Sequence, residues 1–310
     1  MAETTSVSEL IKQKRKKSRR MKLEKGVPVL LFLAASVSVL TTVGILLTLI
    51  VETAMFFSDV SFREFFLSTD MQPLNRSDPS FSILPLLSAT LLSTGIAMLV
   101  AVPIGLTTAV YLSEYATDKA RRVLKPMVEV LAGIPTIVYG FFAFTFVTPV
   151  LREIIPILDR TNILSPGIVM GIMIIPMVAS LSEDALSSVP NSMREGAMAF
   201  GATKLEATIK VIIPAALSGI VASFVLGISR AIGETMIVTI ASGSNKNLTF
   251  DITQSMQTMT AYIVEVTSGD AGAGTTAYYS LYAVAFTLFL FTLAMNMLAK
   301  YISKRYREVY

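Results

Sequence analysis

Long apolar segments recur along this chain, each long enough to cross the hydrocarbon core of a lipid bilayer as a helix. One crossing takes about 20 residues, because each helical residue adds about 1.5 Å and the core is about 30 Å thick. The apolar runs predict six spans, over residues 27–57, 83–112, 127–150, 166–186, 212–242 and 276–302. We therefore expect an all-α membrane protein whose transmembrane domain covers residues 27–310.

The composition excludes several kinds of site. The 310 residues include no cysteine, which excludes disulfides, cysteine-ligated metals and thiol nucleophiles. They include no histidine, the commonest general base and metal ligand. Glu183 and Asp184 are adjacent carboxylates, but no third ligand is near them in the sequence, so we expect a helix-end feature or an intersubunit contact. We predict no metal, no cofactor and no catalytic residue, and an integral membrane enzyme is the least favoured class.

Positive charges are distributed unevenly around the predicted spans. Nine Lys and Arg residues lie in the polar segment 1–26. If this segment is cytoplasmic, six spans return the C-terminus to the cytoplasm, with 20 Lys and Arg residues inside and five outside. That excess predicts a multi-pass protein of the cell membrane with both termini inside. Segment 1–26 then forms a topogenic cytoplasmic tail, and the spans contact membrane lipid. The alternative, a tail that binds anionic lipid or nucleic acid specifically, is less favoured, and we expect no nucleic-acid partner.

The segment Gly227–Met236, GISRAIGETM, places two full charges inside the apolar run 212–242. Arg230 and Glu234 are four residues apart, so a continuous helix would carry both on one face. A charge near the bilayer centre costs about 2.5–3.5 kcal/mol on insertion scales, so such residues usually face a cavity or a partner. We expect Arg230 and Glu234 to line the path of an anionic solute. The alternative is an internal ion pair that fixes helix packing.

The predicted cytoplasmic loop 187–211 begins with the signals of a short helix. Asn191 or Ser192 is expected to cap a helix over about residues 193–200, and Gly201 is expected to end it. A loop that only connects two spans in solvent does not need such helix-capping residues. The loop is therefore predicted to contain structured helices, at about residues 190–211.

A second short helix is predicted after the glycine. Thr203 would begin it, with Glu206 at the capping-box position, and Pro214 marks the entry to the next span. The first helix offers a small apolar patch, which suits docking into a groove of another protein. A helical pair lying on the membrane surface is the alternative. The patch consists of Ala197, Ala199 and Phe200.

This loop resembles the EAA loop of the permeases of ABC importers, in which EAA is followed by a glycine and then by a hydrophobic-proline ending. The matching residues are Glu195, Gly196, Ala197, Gly201, Val211, Ile213 and Pro214. Gly196, Val211 and Ile213 depart from the pattern by residues of similar size. The resemblance implies that the loop docks on a separate ATP-hydrolysing subunit.

Further stretches resemble the permease subunits of the bacterial phosphate ABC importer. They are YLSEYA at Tyr111–Ala116, EVLAGIPTIVYGFFA at Glu129–Ala143, IIPMVASLSEDAL at Ile174–Leu186 and SRAIGETM at Ser229–Met236. The GETM ending is similar to the first of the two permease types, PstC, and the resemblance covers about residues 27–310. It implies the type I (MetI-like) importer permease fold, a second permease of the PstA type, a dimer of ATP-binding subunits, and a periplasmic or lipid-anchored phosphate-binding protein. It also implies that Arg230 and Glu234 are the transport-sensitive pair.

The expected function is therefore that of the transmembrane permease subunit of an ATP-driven phosphate importer, which forms half of the translocation pathway. No Walker A pattern occurs in the sequence, so ATP is expected to be hydrolysed by a separate subunit. Arg230 would donate to phosphate oxygens, and Glu234 would hold Arg230 when no anion is bound. Arg230 follows Pro214 by 16 residues, about 24 Å if helical, which would place it past the bilayer midplane toward the outside.

Two alternative functions remain open. The cargo could be another oxyanion, such as sulfate, molybdate or a phosphonate, because one arginine does not choose among them. The chain could instead be a membrane scaffold or sensor subunit of phosphate signalling, in which the loop 187–211 recruits a partner and nothing crosses.

Overall fold

The computed structural model describes residues 20–75, 79–272 and 274–305. Most of the predicted tail 1–26 lies outside these residues, but its last part is helical, because the first helix already includes Arg20. The chain divides into two compact units between Glu52 and Thr53. Every helix that begins at Phe62 or later belongs to the second unit.

The described residues form helices joined by connections of different lengths. In chain order the α-helices are α1 Arg20–Asp59, α2 Phe62–Leu67, α3 Leu84–Val110, α4 Asp118–Ala132, α5 Thr136–Phe142, α6 Thr148–Ile154, α7 Leu164–Ser187, α8 Asn191–Ala199, α9 Lys204–Ala207, α10 Ile213–Ala215, α11 Leu217–Ile232, α12 Met236–Ala241, α13 Met259–Glu265 and α14 Thr276–Arg305. Four π-helical segments continue them: π1 Tyr111–Tyr115, π2 Ala143–Val147, π3 Thr208–Ile212 and π4 Val266–Asp270.

Six apolar helical stretches of this set are long enough to cross a membrane. Five are single spans: Gly26–Asp59, Leu84–Tyr115, Thr136–Ile154, Leu164–Ser187 and Thr276–Leu298. The sixth is the pair Lys204–Ala215 and Leu217–Ile232, which is bent by 70°. The predicted all-α architecture with six spans is thus confirmed, with the bent pair counted as one.

The predicted boundaries of the third span are wrong. Residues 127–150 were expected to form one helix, but the chain breaks between Ala132 and Thr136, at a Gly-Ile-Pro sequence. Proline has no N–H and biases the residue before it away from the helical region, which explains the break. The preceding helix α4 is strongly amphipathic, and the apolar span begins at Thr136.

The predicted fifth span, 212–242, is also not one helix. It bends at Ala216, just after Pro214, and it ends at Ile232 before resuming at Met236. The expectation that 16 helical residues separate Pro214 from Arg230 in a straight line is therefore wrong.

Helices α3 and α7 form the most extensive helix pair. Glycines allow the close approach: a Cβ on Gly171 would lie 2.8 Å from the carbonyl oxygen of Ala97, and one on Gly105 would lie 2.8 Å from the Val178 side chain. Small residues at a helix interface let backbones pack closely where lipid supplies no hydrophobic drive. This pair is the centre of the fold.

The two longer loops predicted outside the membrane, 58–82 and 243–275, are structured. Phe56 makes edge-to-face contacts with Phe65 of α2 and with Phe81, each with ring centroids 5.4 Å apart. Tyr262 of α13 is buried in the same cluster, where its hydroxyl lies 2.5 Å from the Ser280 hydroxyl. The loops therefore cap one end of the helices with a shared aromatic core.

Candidate functional site

Arg230 lies in the last turn of α11 with an exposed side chain. In the part of the chain that the structure describes, no carboxylate forms an ion pair with its guanidinium. Leu226, one turn earlier, is also exposed, so the arginine stands at the surface of an otherwise apolar helix.

Glu234 lies in a different environment, although it is only four residues away. It follows the end of α11 and is 8% exposed. Its Oε1 atom accepts hydrogen bonds from the backbone N–H groups of Met236 and Ile237, at 3.1 and 3.3 Å. Its own carbonyl oxygen accepts from the Thr260 hydroxyl at 2.7 Å. The carboxylate thus caps the start of α12 and ties the break to α13.

The prediction that Arg230 and Glu234 share one face of a continuous helix is therefore wrong. Gly233 ends α11, and the chain turns before α12 begins. The Glu234 carboxylate accepts hydrogen bonds from backbone N–H groups, and it forms no ion pair with the Arg230 guanidinium.

Contacts on both sides hold α11 in place. Ser229, next to Arg230, donates from its hydroxyl to Asn296 of α14 at 2.9 Å. On another side, a Cβ on Gly227 would lie 3.3 Å from the Ile174 side chain, so α11 runs close against α7. The position of Arg230 at the surface is thus fixed by packing of the neighbouring turn.

The loop between α7 and α11 contains the predicted two helices. Gly201 ends the first with φ +88°, a left-handed conformation that favours glycine. Thr203 and Glu206 form the predicted capping box, in which each side chain meets the other residue's backbone N–H. The predicted N-cap is wrong: Pro190 occupies that position, and Asn191 is already helical.

The residues that match the EAA pattern lie on this loop. Glu195 is exposed, Gly196 and Ala197 are half-buried, and Gly201 and Pro214 are exposed. The predicted apolar patch has a larger exposed area than the sequence indicated. Phe200 is 95% exposed, and Met198 and Leu205 lie open beside it in the sequence.

Glu183 is not a surface feature of the helix end. Its carboxylate is fully buried and pairs with Arg121, while its second oxygen binds Lys125 at 2.6 Å. Both cations come from α4. Asp184, in contrast, is 62% exposed in its side chain and lies 3.3 Å from Lys125. Of the two expectations, Glu183 fits the helix-end feature: near the end of α7 it forms an ion cluster inside the chain that holds α4 against α7. No local sequence pattern indicates this cluster, because the partners are about 60 residues apart.

Comparison with known proteins shows the family to which this chain belongs. Residues 101–308 match the family described as binding-protein-dependent transport system inner membrane component. A probable ABC transporter permease of Bacillus subtilis (strain 168), YqgH, is 31% identical over 278 residues, which are 89% of this chain and 87% of the relative. The phosphate transport system permease protein PstC of Xylella fastidiosa (strain 9a5c) is 31% identical over 256 residues, 76% of this chain and 77% of the relative.

A solved structure shares the fold. A crystal structure of a bacterial ABC transporter involved in the import of the acidic polysaccharide alginate superposes with a TM-score of 0.62 at 15% identity, covering 93% of this chain and 99% of the other. The predicted type I (MetI-like) importer permease fold is confirmed. The chain therefore belongs to the binding-protein-dependent transport system inner membrane components, as a permease subunit of an ABC importer.

Proposed function

We propose that this permease carries phosphate, and that Arg230 contacts the anion along the path. The observation that carries the proposal is an exposed guanidinium on an apolar helix, without a carboxylate partner in the described residues. Facing lipid, such a charge would cost several kcal/mol. This face of α11 is therefore covered in the membrane, and a polar path between two permeases satisfies the charge.

The covering partner we propose is a second, non-identical permease of the PstA type. Leu226, one turn before Arg230 on α11, is an exposed apolar side chain, which suits a helix-lined interface. The solute then passes between the two subunits, with each chain forming half of the path.

Phosphate fits the chemistry of Arg230. A guanidinium presents planar, paired N–H donors that match two oxygens of an oxyanion, and it stays charged at all physiological pH values. Relatives with about 30% identity over most of their length are named phosphate transport permeases. These names support phosphate over sulfate, molybdate or a phosphonate.

Glu234 serves this site by shaping it. Its carboxylate is bonded to the first N–H groups of α12, so it stabilises the break at Gly233 that ends α11 beside Arg230. Because Glu234 is held in this way, the anion does not have to displace it from the arginine. This role replaces the expected one, in which Glu234 would hold Arg230 between transport events.

Energy enters from a separate pair of ATP-binding subunits. The docking surface we propose is the loop with Glu195, Gly196, Ala197 and Gly201, ending at Pro214, where Phe200 is fully open. A periplasmic or lipid-anchored phosphate-binding protein delivers the anion at the opposite face. This arrangement places the protein in the cell membrane with both termini in the cytoplasm.

The test is uptake of labelled phosphate by the complete complex in proteoliposomes, with its binding protein and ATP. We expect uptake that excess unlabelled phosphate abolishes and that excess sulfate, molybdate or phosphonate leaves nearly unchanged. Uptake of one of those anions in place of phosphate would overturn the substrate. A complex that binds its partners but moves no oxyanion would favour the scaffold or sensor role.

A further inference from the structure

Arg194, the residue before the EAA-like run, anchors the first loop helix α8 to two spans. Its Nη2 atom donates to Glu114 Oε1 at 3.1 Å and to the carbonyl oxygen of Leu186 at 2.7 Å. Its Nε atom lies 3.3 Å from the same Glu114 oxygen. Its Nη1 atom donates to the carbonyl oxygen of Val189 and to the Asn191 side chain. One guanidinium therefore joins α8, the end of α7 and π1.

The pair is well shielded from water. The side chain of Glu114 is 5% exposed and that of Arg194 is 17% exposed. Charge-assisted hydrogen bonds in such surroundings are shorter and stronger than neutral ones, and an Arg fork fixes the direction as well as the distance. Arg194 holds α8 in a defined orientation instead of only keeping it near.

Apart from the contacts of Arg194, α8 packs mainly against π3, at the start of the bent pair. None of its residues is buried, and Met193 is its one apolar side chain packed against the neighbouring core, as far as the described residues show. The chain that leads from the loop to α11 bends by 70° at Ala216. Along the backbone, a movement of α8 reaches α11 only through π3 and this bend, whereas Arg194 bonds α8 directly to α7 and π1.

The two elements that Arg194 binds belong to closely packed helices. π1 continues α3, and Leu186 is in the last turn of α7. Helices α3 and α7 pack closely through glycines, with Gly171 and Gly167 against Val100 and Ile96 of α3. Closely packed helices move together because their interface has no slack. Arg194 is thus bonded to the central helix pair of the fold.

Further polar contacts extend this junction to α4. The Ser113 hydroxyl donates to Glu114 at 3.0 Å and lies 3.5 Å from the Ser187 hydroxyl. Arg121 in turn donates to Ser187 at 3.2 Å and pairs with the buried Glu183. The polar chain from Arg194 to Arg121 connects α8, π1, α7 and α4.

We infer that Arg194 and Glu114 are positioning residues that transmit movement of α8 to the α3–α7 pair. They touch neither the solute nor ATP. The force of the ATP-binding subunits reaches the helix pair through this ion pair, and α11 with Arg230 follows by its packing on α7. This inference rests on the proposed role of the loop as the docking surface.

The first test compares phosphate uptake with ATP hydrolysis in the reconstituted complex. For Arg194→Gln we expect uptake per ATP to fall about tenfold, within the range by which coupling-network changes act, while assembly and ATP hydrolysis stay near wild type. Arg194→Lys keeps the positive charge but not the paired N–H donors of the guanidinium, so its uptake per ATP should fall less. Glu114→Gln should resemble Arg194→Gln, and the double variant should be no worse than either, as expected for residues that act together.

Arg122→Gln is the matched control, because Arg122 is exposed and the substitution removes one positive charge beside Arg121. It should leave uptake per ATP unchanged. An unchanged ratio in Arg194→Gln would overturn the inference. If that variant fails to assemble, Arg194→Lys decides: a lowered ratio supports the link, and a wild-type ratio overturns it.

A second test does not depend on the solute. Because the chain has no native cysteine, spin labels can be placed on Ser192→Cys in α8 and Thr107→Cys in α3, both exposed positions. In the otherwise wild-type complex, the label distance should be the same with and without ATP, and Arg194→Gln should make it ATP-dependent. An ATP-dependent distance without the substitution would disprove the rigid link. If the complex shows these label distances but takes up no phosphate, only the proposed substrate would be disproved.

Discussion

Arg230 and Glu234 show how differently two charges four residues apart can be used. The guanidinium is at the surface, and the carboxylate is buried as a cap for α12. An exposed arginine in an apolar span needs a polar partner in the membrane, whereas a carboxylate bonded to two N–H groups is already satisfied. This placement supports the proposal that Arg230 meets a solute, whereas Glu234 supports the backbone.

Substitutions of Glu234 separate capping from charge. Glu234→Gln keeps an oxygen that can accept from Met236 and Ile237, but Glu234→Ala does not. Loss of a cap costs about 0.5–2 kcal/mol, so the alanine variant should lower the melting temperature of the complex and its uptake, and the glutamine variant much less. Equal loss in both variants would show that the negative charge, and not the cap, is what matters.

A second residue-scale prediction concerns the buried Glu183. Glu183→Gln leaves Arg121 and Lys125 without their carboxylate. Removing one partner of a fully buried pair costs about 3–5 kcal/mol. Both cations are partly exposed and can reach water, so we expect about 1–3 kcal/mol, measured by thermal unfolding of the complex. Asp184→Asn, at the exposed neighbour, is the control and should change stability by less than about 1 kcal/mol.

At this scale the sequence identified the unusual residues but not their partners. Arg230 stood out because a charge inside an apolar run is rare. The capping role of Glu234 depends on a break at Gly233, and glycine inside an apolar run permits a break without requiring one. The partners of Glu183 and Arg194 come from helices that are distant in sequence, so no local pattern reveals them.

The central element pair, α3 and α7, owes its contact to glycine. A Cβ on Gly171 would lie 2.7 Å from the Cβ of Val100 and 2.8 Å from the Ala97 carbonyl oxygen, and a backbone atom has little freedom to move away. Gly95, also in α3, has no atom within 4 Å of such a Cβ. Gly171 therefore allows close packing of two helices, whereas Gly95 does not contribute to such packing, although both glycines lie in spans.

Gly171→Ala is expected to destabilise the complex by about 1–3 kcal/mol through overpacking. Gly95→Ala is the matched control and should be neutral or slightly stabilising, because alanine forms helices better by about 1 kcal/mol. Thermal unfolding of the two purified variants measures the difference. Equal melting temperatures would mean that α3 and α7 are not in close backbone contact at Gly171.

The ranges of the spans were predicted well where the length of the apolar run alone determines the helix. The second, fourth and sixth spans have nearly the predicted ranges, because each is one uninterrupted apolar helix. The third and fifth were predicted as single helices, yet they break near Pro135 and Pro214. Proline is tolerated inside membrane helices when neighbours satisfy the freed carbonyls, so its presence does not predict a break.

At the scale of the whole molecule, the distribution of basic residues predicts the orientation. Lys119 precedes the third span and Asn247 follows the fifth, and both side chains are exposed. In whole cells, a membrane-impermeant thiol reagent should label Asn247→Cys and should label Lys119→Cys only after the membrane is opened. No native cysteine interferes. The reverse pattern would invert the orientation and move the proposed ATPase-docking loop outside.

The molecule as a whole also explains what sequence reasoning could and could not reach. The apolar runs and the EAA-like loop were sufficient for the architecture and the family. The exposure of Arg230 and Leu226 on α11 is visible only in the folded chain. Which side chains of a helix are exposed depends on how separate helices pack around it, so it does not follow from any one segment.

Phosphate uptake by the reconstituted Arg230→Gln complex tests the central claim most directly. Arg152→Gln, which removes an exposed arginine from α6, is its control. We predict that Arg230→Gln loses uptake by at least about tenfold, since each lost charge-assisted hydrogen bond is worth about 1.5–3 kcal/mol, while it still assembles and binds the ATP-binding subunits. Uptake close to that of wild type in an assembled Arg230→Gln complex would contradict the account.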